Sequence, residues 1–89
     1  MSYHFEIDPL KNAINMDRFH LPLWLTLEII EHETCSFQLS HPQHGEEQLI
    51  TFGYVGPQLH VTVWNVQRNT LRALVVRRAN RNEEARYGD

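Results

Sequence analysis

The sequence predicts an α+β domain in which a small antiparallel sheet carries two N-terminal helices and one short C-terminal helix. Three observations lead there. Apolar and polar residues alternate over residues 3–7 and again in segments between 35 and 77, the mark of half-buried strands. Residues 10–30 instead space their apolar side chains as helices do. Near the end, Asn80 precedes Glu83 by the spacing of a helix N-cap and its reciprocal partner. Strand, helix, helix, four strands and helix, in that order, describe helices packed on an antiparallel sheet.

Each element has its own local cause. Tyr3, Phe5 and Ile7 alternate with His4 and Glu6, giving a first strand. Asp8-Pro9 reads as an N-cap followed by proline at the first helical position, where the missing N–H costs nothing. Leu10, Ala13, Ile14 and Met16 then form the expected inward stripe of a helix reaching about Arg18. Pro22 opens a second helix with Leu23, Leu27 and Ile30 inward and Glu28 and Glu31 outward. Cys35, Phe37 and Leu39 alternate with Ser36, Gln38 and Ser40 as a second strand, and residues 41–46 form a loop. Residues 48–55 and 59–66 are two strands joined across Gly56-Pro57, and residues 67–70 make the next turn. The fifth strand, residues 71–77, is apolar enough for the middle of a sheet covered on both sides. Alternation would place Leu71, Ala73, Val75 and Arg77 on one face and Arg72, Leu74 and Val76 on the other. A short helix over residues 81–87 ends the chain.

Eighty-nine residues suffice for one domain, and we find no repeat, linker or low-complexity stretch. Hydrophobic residues at 42% and charged residues at 21% are the balance of a folded domain rather than a disordered tail. No apolar run approaches a membrane span, and the first residues lack the sections of a signal peptide, so the expectation is a cytoplasmic protein. Cys35 is the single cysteine, which excludes an internal disulfide and a cysteine-based zinc site. The net charge of -3 hides a segregation. Residues 1–67 hold two basic residues against eight acidic ones, while residues 68–89 hold six arginines against three acidic residues. Such a field steers an anion towards the C-terminal part of the fold.

FEIDPLKNAIN (5–15), GEEQLITFG (45–53) and LRALVVRRANRNEEARY (71–87), in this order and spacing, resemble the BrnT-like toxins of bacterial type II toxin-antitoxin systems. The resemblance covers nearly the whole chain. It rests on Asp8, Lys11, Asn15, Glu46, Glu47, Gly53, Arg72, Arg77, Arg78, Ala79 and Tyr87. It implies a fold similar to the RelE ribonucleases and cleavage of RNA without metal or other cofactor. It also implies neutralisation by a BrnA-like ribbon-helix-helix antitoxin, through which alone the protein would meet DNA. Three positions depart from the pattern. Arg18-Phe19-His20 stands where the family usually has a Lys-His-Gly turn, Gln48 where an Arg commonly follows the Glu pair, and Val75 where a Ser often lies.

Cleaving RNA without a metal requires a base for the ribose 2′-hydroxyl, positive charge over the phosphorane and an acid for the leaving 5′-oxygen. Arginine suits the second task because its planar fork donates two hydrogen bonds to phosphate and stays charged. Strand alternation favours Arg77 or Arg78 at the strand end, with Arg72 on the face of Arg78. A bland alternative makes Arg72 a solvent-side strand residue or pairs it with Glu46 or Glu47. His20 and Glu47 are further candidates for the catalytic set, and His60 for proton transfer if it is not plain surface. Lys11, Arg81 and Tyr87 are candidates for contacting RNA, although Tyr87 has an equal role available in anchoring the last helix. His41, His44, Glu46 and Glu47 fit no zinc spacing, so no metal site is expected. Trp24 and Trp64 are core residues or partner contacts.

Overall fold

The computed structural model describes residues 4–41 and 46–88. Its elements are β1 (His4–Glu6), α1 (Pro9–Phe19), α2 (Leu25–Glu31), β2 (Glu33–His41), β3 (Glu46–Val55), β4 (Gln58–Gln67), β5 (Thr70–Arg78) and α3 (Arg81–Tyr87). The α+β class and the order of elements are as predicted. The sheet, in the order β1-β5-β4-β3-β2, is mixed rather than wholly antiparallel, because β1 runs parallel to β5. That pairing needs the crossover supplied by the rest of the chain, which no local pattern records. Most of the loop predicted at residues 41–46, with the histidine-rich metal question attached to it, lies outside the described residues. Among the described residues no helix is long and apolar enough to cross a membrane.

Helix α1 begins as expected, with the Asp8 side chain accepting from the Leu10 amide and Pro9 in the first turn. It ends at His20, whose φ of 58° is left-handed and whose N–H closes on the Met16 carbonyl. The predicted inward stripe is wrong. Leu10, Ile14 and Met16 are exposed, and the helix turns Asn12, Asn15 and Phe19 inward. A polar side chain faces the sheet because β5 requires one. β1 stops beside Arg72, so the outer edge of β5 beyond it has no strand neighbour. Asn15 takes that neighbour's place: its Oδ1 accepts from the Val76 amide, and its Nδ2 donates to the carbonyls of Val76 and Leu21. The adjacent Asn12 Oδ1 accepts from the Leu23 amide and so positions the approach to α2.

Helix α2 starts at Leu25, later than predicted, and buries Thr26 and Ile29, with Leu23 buried just before it, while Leu27 is exposed. It lies so close to β3 that a Cβ on Gly53 would collide with the Ile29 carbonyl. Thr26 is tied to the sheet through Thr62, whose hydroxyl donates to the Val75 carbonyl; with that proton committed, Thr26 is the donor to Thr62 at 2.8 Å. Leu23, Ile29, Ala73 and Val76 form the core between helices and sheet. On the other face Phe52, Leu59 and Val61 are covered by Ala79 and by Tyr87 of α3.

The hairpin turns follow their sequence cues. Gly56 has the positive φ, 59°, that a tight β3–β4 connection needs at its first position. Arg68 and Asn69 both adopt positive φ between β4 and β5, as a primed turn requires. Between these turns the β4–β5 ladder slips: Val63 pairs with Val75 but Trp64 pairs with Ala73, leaving Leu74 as an extra residue. The bulge reverses the inside-outside alternation of everything after it. Ala73 and Val76 therefore share the helix-side core, whereas Arg72, Val75 and Arg77 share the opposite face.

Replacing Asn15 by Ala leaves the buried Val76 amide and carbonyl unpaired. The expected loss is about 3 kcal/mol, given roughly 1–3 kcal/mol for each stranded buried group. Denaturant unfolding of Asn15→Ala beside the exposed control Ile14→Ala measures it. Equal midpoints in the two variants contradict the role assigned to Asn15.

Candidate functional site

The sheet face turned away from α1 and α2 is roofed by α3 at one end and open at the other. β2 supplies Phe37 and Leu39 to this face, β3 supplies Gln48, Ile50 and Phe52, β4 supplies Val61, Val63 and Asn65, and β5 supplies Arg72, Val75 and Arg77. Besides a depression of about 480 Å³ lined by Gln67, Arg68, Thr70 and Arg72, two depressions on it concern the site. One, of about 420 Å³, is lined by Gln48, Val63, Asn65, Arg72 and Val75, with Lys11 of α1 at its border. The other, of about 470 Å³, has apolar walls of Phe37, Leu39, Ile50, Phe52 and Tyr87, and a polar wall made by Arg77 and Glu83. They meet along the floor, where Ile50 and Val63 are cross-strand partners.

Lys11 and Arg72 are brought together by the two features that sequence reasoning did not see. The parallel β1–β5 pairing sets Glu6 opposite Arg72, and the bulge keeps Arg72 on the open face. Glu6, Asp8, Lys11 and Arg72 border a small hollow of about 60 Å³ next to the first depression. The Arg72 Nε lies 3.5 Å from Glu6 Oε1, with both side chains about half exposed. An ion pair so open to water is weak and exchangeable, so Arg72 remains available to another anion. Among the described side chains its partner is Glu6 rather than Glu47, and the side chain of Glu46 lies outside the described set. Arg18 and Phe19 extend the basic border, lining a hollow of about 160 Å³ that shares Lys11, Leu74 and Val75 with the first depression.

Arg77 has a different condition. Its guanidinium donates from Nη1 and Nη2 to the two carboxylate oxygens of Glu83, both at 2.8 Å, and Nη1 also reaches the Arg78 carbonyl. Glu83 is itself part of the α3 capping box: its Oε1 accepts from the Asn80 amide while the Asn80 side chain accepts from the Glu83 amide. The hydrogen bonds from Arg77 hold the Glu83 carboxyl below its ordinary range, and those same bonds raise the Arg77 guanidinium above its own. Arg77 thus anchors α3 to the sheet and presents a fixed guanidinium plane to the second depression.

The remaining predicted residues do not converge. Arg78 shares the helix-side face with His60, its register partner, so it is not a companion of Arg72. Glu47 is exposed and, by alternation with Thr51 and Gly53, also belongs to that side. His20 is exposed at the end of α1 and lines neither depression. Arg81 is exposed on α3. Tyr87 anchors: its ring packs on Phe52 with centroids 4.4 Å apart and meets Phe37 at 5.2 Å, and its carbonyl accepts from Thr34. His60 is not surface but 4% exposed, its Nδ1–H donating to the Gln58 carbonyl. Trp64 is partly buried, its indole donating to Thr51, while Trp24 is 60% exposed. Gln48 and Val75, two of the three departures from the toxin pattern, both line the depression beside Lys11 and Arg72. Glu6 was legible only as the polar side of a short strand; nothing in the sequence indicates which strand it would join.

A scan against models of known protein families finds no match, and no curated protein matches the chain.

Because the folded-state pKa of Glu83 is depressed, its pairing stabilises the protein fully above the ordinary carboxyl value of 4.5 and is lost as pH falls through the lower folded value. Glu83→Gln is therefore expected to lower the melting temperature at neutral pH and to lose part of the stability difference between pH 6 and pH 3. Melting curves of the variant parallel to the wild type across that range contradict it.

Proposed function

We propose that the protein is a metal-independent endoribonuclease toxin of the BrnT-like kind, with a RelE-like arrangement of α1 and α2 on one side of the sheet and an RNA-binding face, partly roofed by α3, on the other. The observation that carries this reading is the pair Lys11 and Arg72 bordering one open polar depression. A cation pair from two elements, over a floor with the amides Gln48 and Asn65, suits a phosphodiester. In the proposed reaction the ribose 2′-hydroxyl attacks phosphorus, the bond to the 5′-oxygen breaks, and Arg72 and Lys11 stabilise the charge that develops on the non-bridging oxygens. Glu6, beside Arg72, is the carboxylate placed to accept the 2′-hydroxyl proton, and the departing 5′-oxygen takes its proton from solvent water at the open face. The cell compartment is the cytoplasm, and a BrnA-like antitoxin neutralises the toxin by covering the open face.

A second reading is a BrnT-like interaction module that has lost turnover. It is favoured by Gln48 and Val75, in the lining of the first depression, standing where the toxin pattern has Arg and Ser.

Incubation of purified protein with RNA in excess EDTA separates the two. Cleavage is expected, with Arg72→Ala slower by about 100-fold, the usual effect of removing one group that stabilises transition-state charge. Equal rates in wild type and Arg72→Ala remove Arg72 from the reaction. Intact RNA with wild-type protein leaves the interaction module.

A further inference from the structure

The second depression has a construction that the cleavage reading does not use. Two flat groups line it, and each is ordered before anything binds. Phe37 is 41% exposed, yet edge-to-face contacts with Phe52 at 6.4 Å and Tyr87 at 5.2 Å fix its ring. The guanidinium of Arg77 is held in plane by two hydrogen bonds to Glu83, with a third of the side chain still exposed. The volume of about 470 Å³ lies within the roughly 300–1,000 Å³ of small-ligand sites. Leu39 and Ile50 give it an apolar floor. Aromatic rings and arginine planes are the surfaces on which proteins stack unpaired bases, and immobilising them beforehand lowers the entropy cost of doing so.

We propose that this depression is a nucleobase subsite for single-stranded RNA, in which an unstacked base lies between Phe37 and the Arg77–Glu83 pair while a neighbouring phosphate of the same strand sits at Lys11 and Arg72. The proposal rests on the RNA-binding reading above and adds a substrate class to it. Continuity selects a nucleotide as the occupant. Ile50 of the base subsite faces Val63 of the phosphate depression on the neighbouring strand, and adjacent strands are about 4.8 Å apart. Phe37 on β2 and Arg72 on β5 are themselves three strand spacings apart, about 14 Å, so the stacked base and the phosphate held at Lys11 and Arg72 belong to neighbouring nucleotides of one strand. An apolar peptide side chain would fill the hollow but would make no use of the cationic border beside it. The base must be unpaired, because in a duplex its face is covered by its neighbours. Stacking alone reads no letter, so the subsite tolerates different bases.

The experiment measures binding rather than cleavage, with a short fluorescein-labelled 2′-O-methyl oligoribonucleotide that lacks the attacking hydroxyl, followed by anisotropy. Phe37→Ala is expected to bind about tenfold more weakly, the usual cost of one lost aromatic platform, and Phe37→Trp to bind like wild type. The slope of log K against log salt should be unchanged by Phe37→Ala. In Lys11→Ala and Arg72→Ala it should fall by about 0.7 each. Because Phe37 also packs on Phe52 and Tyr87, a second arm leaves the protein untouched. Each base of the oligonucleotide is removed in turn, and one abasic position should weaken wild type about tenfold while leaving Phe37→Ala unaffected. A self-complementary duplex should show no Phe37-dependent binding. Affinity for the single strand that is the same in wild type and Phe37→Ala, with no such abasic position, overturns the subsite while the Lys11 and Arg72 effects keep the phosphate site. Absence of any RNA binding by wild type overturns both.

Discussion

Asn15 is the constraint on which the arrangement turns. β5 is the second strand of the sheet, but β1 covers only its first residues, and the exposed edge beyond Arg72 would otherwise carry buried unpaired amides and carbonyls. A single carboxamide resolves this because it has both a donor and an acceptor, spaced as a strand's own peptide group presents them. By bonding the Val76 amide and carbonyl and the Leu21 carbonyl, Asn15 fixes α1 against β5 and fixes the connection leading to α2. Lys11, one turn earlier on α1, is thereby set at the border of the open face. The position of a candidate phosphate contact thus depends on a buried amide that touches no ligand.

The Leu74 bulge acts on the other partner. Without an extra residue in β5, strict alternation would divide Arg72 from Arg77, and the open face would hold only one of them. With it, Arg72 and Arg77 stand on one surface, flanking Val75, while Arg78 moves to the side of His60. The two arginines that share the face then divide by chemistry. Arg72 is paired with a largely solvated carboxylate, Glu6, and Arg77 has a bidentate partner that is also a helix cap. Screening by water leaves the first exchangeable, whereas fixed geometry commits the second to structure.

Several residues that carry the resemblance to toxins have structural tasks here. Asp8 caps α1, Asn15 closes the β5 edge, Gly53 admits the α2 backbone, Arg77 binds α3 through Glu83, and Tyr87 packs on Phe52. A pattern of this kind reports architecture more directly than reaction. The departures fall elsewhere: Gln48 and Val75 are on the open face, and Arg18 and Phe19 are beside it. Activity is consequently a question about Lys11, Arg72 and Glu6, and not about the arginine count of the C-terminal segment.

Local chemistry by itself determined the order and class of the elements, the caps at Asp8 and Asn80, and the turns at Gly56-Pro57 and Arg68-Asn69. Each is decided by residues within a few positions of one another, through proline's missing N–H, a capping side chain, or a φ that few residues adopt. Only the tertiary structure decided which faces are inside. The apolar stripe of Leu10, Ile14 and Met16 turned outward because hydrogen bonds to β5, 61 residues away in sequence, require Asn15 inward. The grouping of the arginines likewise reversed because ladder register is set by pairing between strands, and one unpaired residue exchanges the two faces of everything that follows it.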